Sequence, residues 1–233
     1  MSERVREGIV APTGLIAHGR GEAFDYLLGE RTTENARRAE LTAAAMLIDA
    51  NRPVISVNGN TAALCSEGIV ALAEAVLARI EVNLFHRTPE RVEKVCALME
   101  AAGAKELLGR QPDATLPGIA SDRAVCTRAG ILSADVVLIP LEDGDRAEAL
   151  AKLGKKVIAI DLNPLSRTSK AAHISIVDEL TRAVPGIAAE VPELRRNGNR
   201  RLALMNSFDN ARNLEEAMAI MCGNLRAAGE GKA

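Results

Sequence analysis

Short β-branched apolar runs alternate along this chain with longer stretches in which apolar residues recur every three or four positions. The runs "PVISV" (53–57), "IEVNLF" (80–85), "KELLG" (105–109), "ADVVLIPL" (134–141), "KKVIAIDL" (155–162) and "HISIV" (173–177) read as strands. Between most of them lie helical periods, "SEGIVALAEAVLA", "PERVEKVCALMEAAG" and "DGDRAEALAKLG". Upstream, Thr32 or Thr33 is placed to cap a helix over "ENARRAELTAAAMLIDA". Near-continuous apolar strands separated by helices of this length predict a parallel sheet covered on both faces. The expected fold is a doubly wound, Rossmann-like α/β domain.

After Val184 the strand signal stops. The pattern divides the chain into a nucleotide-binding catalytic domain over 1–184 and a helical extension over 185–233. In the extension, Leu214, Met218, Met221 and Leu225 share one helix face, which needs either the chain's own domain or a dimer partner to cover it. Arg110 to Gly130 is the longest stretch without a clear period, and reads as a lid or an irregular crossover.

Composition narrows the function classes. A net charge of −2 over 233 residues supplies no basic field for nucleic acid or anionic lipid. The local run "RRNGNRR" reads as a solvated helix junction. No apolar run reaches the ~18 residues of a membrane span, and the N-terminal MSERVREG has no hydrophobic signal core, so a cytoplasmic protein is expected. The cysteines at 65, 96, 126 and 222 show no paired spacing and read as reduced core residues.

Candidate chemistry gathers after the strands, at the edge where parallel sheets bind ligands. Asn58-Gly59-Asn60 follows the first strand, His86-Arg87 the second, Glu142 to Arg146 the fourth, Asp161 and Asn163 to Arg167 the fifth, and Asp178-Glu179 the last. Asparagines and glycines at turns beside acids and arginines suit a triphosphate, a metal and a sugar hydroxyl held together. Near the N-terminus, "GLIAHGRGEAFDYLLGERT" sets Arg20 between Gly19 and Gly21. As a turn, this either clamps a phosphate or carboxylate or leaves a solvated arginine. There is no GxGxxG, GxxxxGK[ST] or GxSxG, and the three histidines at 18, 86 and 173 form no close pair. A nicotinamide-dependent dehydrogenase would therefore rest on fold analogy alone.

Five blocks, "AHGRGEAFDYLLGERT", "ISVNGNTAAL", "EVNLFHRTPERV", "ADVVLIPLEDGDRAEAL" and "AIDLNPLSRTSKAAHISIVDE", strongly resemble the archaeal phosphopantothenate synthetase family, in order from residue 14 to about 184. The resemblance implies an ATP-dependent ligase of coenzyme A biosynthesis. It would join 4-phosphopantoate to β-alanine on a homodimeric Rossmann-like scaffold, releasing AMP and pyrophosphate. It places nucleotide contacts on Arg20, Asp161, Leu162, Asn163, Arg167, Thr168, Glu179 and Leu180. Proteins of this family generally start with a longer helical segment carrying another ATP-contacting arginine. Here Arg4 or Arg6 would substitute, or the chain would be a weak or inactive nucleotide-binding dimer.

An acyl-adenylate route needs cations around the phosphates, and Arg31, Arg87 and Arg146 are candidates beside Arg20 and Arg167. Asn58, Asn60 and Arg31 are candidates for the acid substrate. Glu142, Asp143 and Asp145 are candidate Mg2+ ligands, although Asp143 is also placed to cap the following helix. Asp161 suits a ribose hydroxyl, and His86 is the candidate acceptor for the β-alanine ammonium proton.

Overall fold

The computed structural model describes residues 1–230. Its main sheet has six strands, all parallel, in the order β3-β2-β1-β6-β7-β8: Leu107–Leu108, Arg79–Val82, Pro53–Val57, Val136–Pro140, Lys156–Ile160 and Ile174–Ile176. The chain starts at the centre with β1, moves outward through β2 and β3, and returns to β6 on the other side of β1. Strand order therefore reverses at the β1/β6 seam, where an open α/β sheet forms its binding crevice.

Alternation along the strands separates two cores. Ile55, Val57, Val136, Leu138, Ile158, Ile160, Ile174 and Ile176 point to one face, where α3 (Glu34–Asp49), α4 (Gly59–Val76), α5 (Pro89–Ala101) and α8 (Leu180–Arg196) cover them. Val54, Val137, Ile139, Val157 and Ala159 point to the other, against Ala147 and Leu150 of α6 (Gly144–Lys152). Burial on both faces explains why these strands read as unbroken apolar runs. A third cluster joins Phe24, Leu27 and Leu28 of α2 (Pro12–Leu28) to Leu214, Ala217 and Met221 of α10 (Asn210–Gly229). The remaining helices are α1 (Ser2–Arg6), α7 (Arg167–Ala171) and α9 (Gly198–Ser207).

The sequence elements map closely onto this fold, with informative differences. Thr33 caps α3 through its side chain, as its position suggests. The helix after β1 starts seven residues earlier than its apolar period, because Asn58 caps it by accepting from the Thr61 N–H. Helix α8 runs unbroken across the 184/185 division, and Ala183, Val184, Ile187, Val191 and Leu194 all join the main core. On α10, Leu214 and Met221 are buried against the chain's own α2 while Leu225 stays exposed.

The stretch 110–130 is pinned rather than free. It carries a short antiparallel ribbon, β4 (Ala114–Thr115) with β5 (Val125–Cys126), and Leu116 is buried in the second core. Buried Glu81 of β2 accepts from the Thr127 N–H at 2.7 Å, the Thr127 hydroxyl at 3.0 Å and the Ile131 N–H at 2.7 Å. A Cβ at Gly130 would stand 1.9 Å from the Glu81 carboxylate, so only glycine admits this approach.

Candidate active site

A cleft of about 350 Å³ opens above the carboxyl ends of β6, β7 and β8. Helix N-termini converge on it because each βα turn of a parallel sheet starts its helix at this edge. Asn60 of α4, Gly144 of α6, Arg167 of α7 and Leu180 of α8 all line the cleft. Their free N–H groups and aligned dipoles favour an anion. The packing is close: a Cβ at Gly144 would meet Arg167 Cβ at 2.5 Å.

The nucleotide candidates come together as a group. Arg20, Asp161, Leu162, Asn163, Arg167, Thr168, Glu179 and Leu180 all line this one cleft. Arg20 reaches it from the middle of α2, not from a turn, so the Gly-Arg-Gly triplet is helical. Its guanidinium is exposed, with no hydrogen bond or salt bridge among the described residues. Asp161 accepts from the Asn163 N–H at 2.9 Å and the Ser166 hydroxyl at 2.5 Å. Burial raises its pKa, while these donors and the nearby Arg20 pull the other way. Arg167 pairs at the surface with Asp145 at 2.5 Å, and the Thr168 hydroxyl donates to the Glu142 carbonyl at 2.9 Å.

Other candidates are engaged elsewhere. Arg146 is fully buried behind the cleft, where it pairs with Glu142 and donates to Ser56 Oγ at 3.1 Å. Arg123, from the pinned stretch, holds the other oxygen of Glu142 at 3.0 Å. Burial opposes the charge on Glu142, yet the two arginines outweigh it and hold the carboxyl below its usual range. Asp143 caps α6 by accepting from the Arg146 N–H at 3.0 Å; burial and then Glu142 raise its pKa.

The proposed trio of metal ligands is therefore divided. Glu142 is consumed by arginines, Asp145 faces Arg167 at the surface, and Asp143, which lines the cleft, caps α6 through one oxygen and pairs with Arg123 through the other at 3.6 Å. No group of three or more His, Cys, Asp or Glu converges as a metal site among the described residues.

Asn58 is spent on structure: beyond capping α4, its Nδ2 donates to the Pro140 and Leu141 carbonyls, both at 3.0 Å. Arg87 donates to the Gly109 carbonyl, and His86 packs edge-on to Phe85 with ring centroids 5.0 Å apart. Neither these two nor Arg31 lines the cleft. Arg4 and Arg6 pair with Glu7 and Glu3 on α1 and do not line it either. Buried Cys96 and Cys126 and half-buried Cys65 have thiol pKa values pushed by burial to about 11, so nucleophilic roles are unsupported.

Sequence reasoning missed Arg123 and Arg182. Arg123 lies inside an unpatterned stretch and only the folded ribbon brings it under the cleft. Arg182 follows Asp178 by four residues, the spacing of a helical ion pair, and that spacing was the available signal.

A profile of the Phosphopantothenate/pantothenate synthetase family matches residues 35–224. The chain belongs to that family. It is 54% identical over 223 residues to the 4-phosphopantoate–beta-alanine ligase of Methanosarcina mazei, covering 95% of this chain and 88% of that protein. It is 58% identical over 194 residues to the ligase of the same description from Methanospirillum hungatei, covering 83% and 79% of the two chains. The Thermococcus onnurineus ligase is 45% identical over 231 residues, covering 98% of this chain and 88% of its own length. The matched span of the synthetase family includes every cleft element except α2.

Proposed function

We propose that this chain is an AMP-forming 4-phosphopantoate–β-alanine ligase acting in coenzyme A formation. The observation that carries the reading is the cleft itself. Four helix N-termini meet there with Arg20, Arg167 and the Asp161 carboxylate, in a chain of the synthetase family.

A carboxylate is a poor electrophile, so its oxygen first attacks the α-phosphorus of ATP and pyrophosphate leaves. The β-alanine nitrogen then attacks the acyl carbon, and AMP leaves with the original carboxylate oxygen. Arg20 and Arg167 offer planar forks to the phosphates, and the helix N-termini add fixed dipoles where negative charge develops. Asp161 has lone pairs left to accept from a ribose hydroxyl. Leu162 and Leu180 supply apolar surface for the base. Asn60, which donates to the Gly14 carbonyl at 2.8 Å, bounds the side toward β1 where the acid substrate would sit. The buried Arg123–Glu142–Arg146 layer fixes the floor and does not touch substrate.

Mg2+ in this reading arrives on the triphosphate, because the carboxylates that line the cleft do not converge as a cage among the described residues. The protein works as a cytoplasmic homodimer. No helix among the described residues is long and apolar enough to cross a membrane. The test is to incubate the pure protein with ATP, Mg2+, 4-phosphopantoate and β-alanine and to quantify nucleotides and acyl product. Equal amounts of AMP and 4'-phosphopantothenate are expected; ADP in place of AMP, or no amide, would overturn the reading.

A further inference from the structure

Helix α2 brings Arg20, Gly21 and Phe24 to the cleft, and the way it is held differs along its sides. Phe24, Leu27 and Leu28 pack on Leu214, Ala217 and Met221 of α10. Apolar packing of this kind is non-directional and leaves the roll of a helix about its axis weakly fixed. Directional bonds hold α2 near its two ends, where Asn60 Nδ2 donates to the Gly14 carbonyl and Asn224 Nδ2 to the Leu27 carbonyl, both at 2.8 Å, and a side-chain clasp holds it between them. Arg182, in the first turn of α8, grips Asp25 of α2 with both terminal nitrogens, Nη1 to Oδ2 at 3.0 Å and Nη2 to Oδ1 at 2.5 Å. The same guanidinium donates through Nε to Asp178 Oδ1 at 2.9 Å and through Nη2 at 2.7 Å. Asp178 is itself fixed by the Thr32 hydroxyl, 2.6 Å from its Oδ2.

Asp178 and Asp25 are both buried, and among the described residues Arg182 is the one cation paired with both. Gly21, one helical turn before Asp25, lines the cleft, while Glu179 and Leu180 line the opposing wall next to Arg182. The clasp therefore joins the two walls between which the nucleotide would lie.

We propose that Arg182, through Asp25, is a positioning residue that sets the roll of α2 and so aims Arg20 at the ATP phosphates. Without the guanidinium, two carboxylates face each other across the gap, and α2 is pushed off rather than merely released. A lysine cannot replace it, because one ammonium does not make the parallel pair to Asp25 while also holding Asp178.

This rests on the reading that the cleft takes ATP. The experiment is a double-mutant cycle on the full-length protein with Arg182→Gln, Arg20→Ala and both together, measuring KM for ATP, KM for β-alanine and amide hydrogen exchange over residues 12–28. Arg182→Gln is expected to raise the ATP KM about tenfold or more, with the β-alanine KM within twofold and faster exchange in α2 but not in α3 or α4. Arg182→Lys should recover only part of the loss. In the Arg20→Ala background, Arg182→Gln should add less than twofold. Additive effects, or a uniform rise in all KM values with unchanged α2 exchange, would overturn the proposal. Asp25→Asn, which keeps the side-chain shape, supplies the same readouts if Arg182→Gln does not fold. If the wild-type protein shows no use of ATP, the nucleotide reading fails; the roll of α2 is still judged by its exchange, and unchanged exchange in Arg182→Gln would overturn the clasp.

Discussion

The Asn58 side chain donates to the Leu141 carbonyl at 3.0 Å, tying β1 to β6 where the strand order reverses. Leu141 lines the cleft and sits in the left-handed region at φ 51°, a conformation that costs a leucine ~1–2 kcal/mol. Asn58 also holds the Pro140 carbonyl and caps α4, so one side chain secures a strained backbone and a helix start together. Asn58→Ala removes the cap and takes a donor from the Pro140 and Leu141 carbonyls, the first of which keeps the Thr61 hydroxyl at 3.4 Å. Thermal or urea unfolding should show a loss of ~2–4 kcal/mol. A loss under 0.5 kcal/mol would show that the seam does not depend on this side chain.

Arg20→Lys tests the phosphate clamp. Arginine and lysine are similar helix formers, and Arg20 is exposed in α2, so the melting temperature should hold. Turnover with ATP should fall on the order of 10²-fold, which is ~2.7 kcal/mol of lost transition-state stabilisation. A variant that turns over at the wild-type rate would return Arg20 to a solvated role.

Asp161→Asn separates binding from folding. Its carboxylate accepts from a backbone N–H and from a hydroxyl that can rotate, so an amide fits the same local bonds. Losing the charged acceptor to a ribose hydroxyl should weaken ATP by ~1.5–3 kcal/mol in calorimetric titration, with a smaller change in unfolding free energy. An unchanged ATP dissociation constant contradicts the ribose assignment.

Glu40 gives the fold a pH dependence. Its carboxyl lies buried between α3 and α8, against Gly186, and burial raises its pKa from 4.5 to about 7, with Arg37 opposing. The folded state then binds more protons than the unfolded one between these values. Its stabilising protonated form is fully present below about pH 4.5 and is lost as pH rises through about 7. Glu40→Gln should therefore flatten stability across this window and gain ~2–3 kcal/mol at pH 8. Parallel stability curves for the two proteins between pH 5 and 8 would refute this.

Much of this architecture is legible in the sequence because two-sided burial writes strands as unbroken apolar runs, and the Thr33 cap and the helical periods mark their own ends. The cleft lining was legible where a residue closely follows a strand, as Asp161, Asn163 and Glu179 do. What local pattern could not give is side-chain commitment across the fold. Arg146 and Glu142 look like cleft residues by position, yet they neutralise each other beneath it, because a third residue, Arg123, arrives from a distant ribbon. Asn58 and Arg20 illustrate the same limit: the first is used up by carbonyls of another strand, and the second sits on a helix that its two glycines disguise as a turn.

In the proposed reaction the acid is activated as an acyl-adenylate in this cleft. The most direct measurement is the fate of 18O placed in the carboxylate of 4-phosphopantoate during turnover with ATP and β-alanine. Attack of that carboxylate on the α-phosphorus, followed by aminolysis, predicts one labelled oxygen in the AMP phosphoryl group for each amide formed. Label in inorganic phosphate with release of ADP, or AMP without label, would contradict the account.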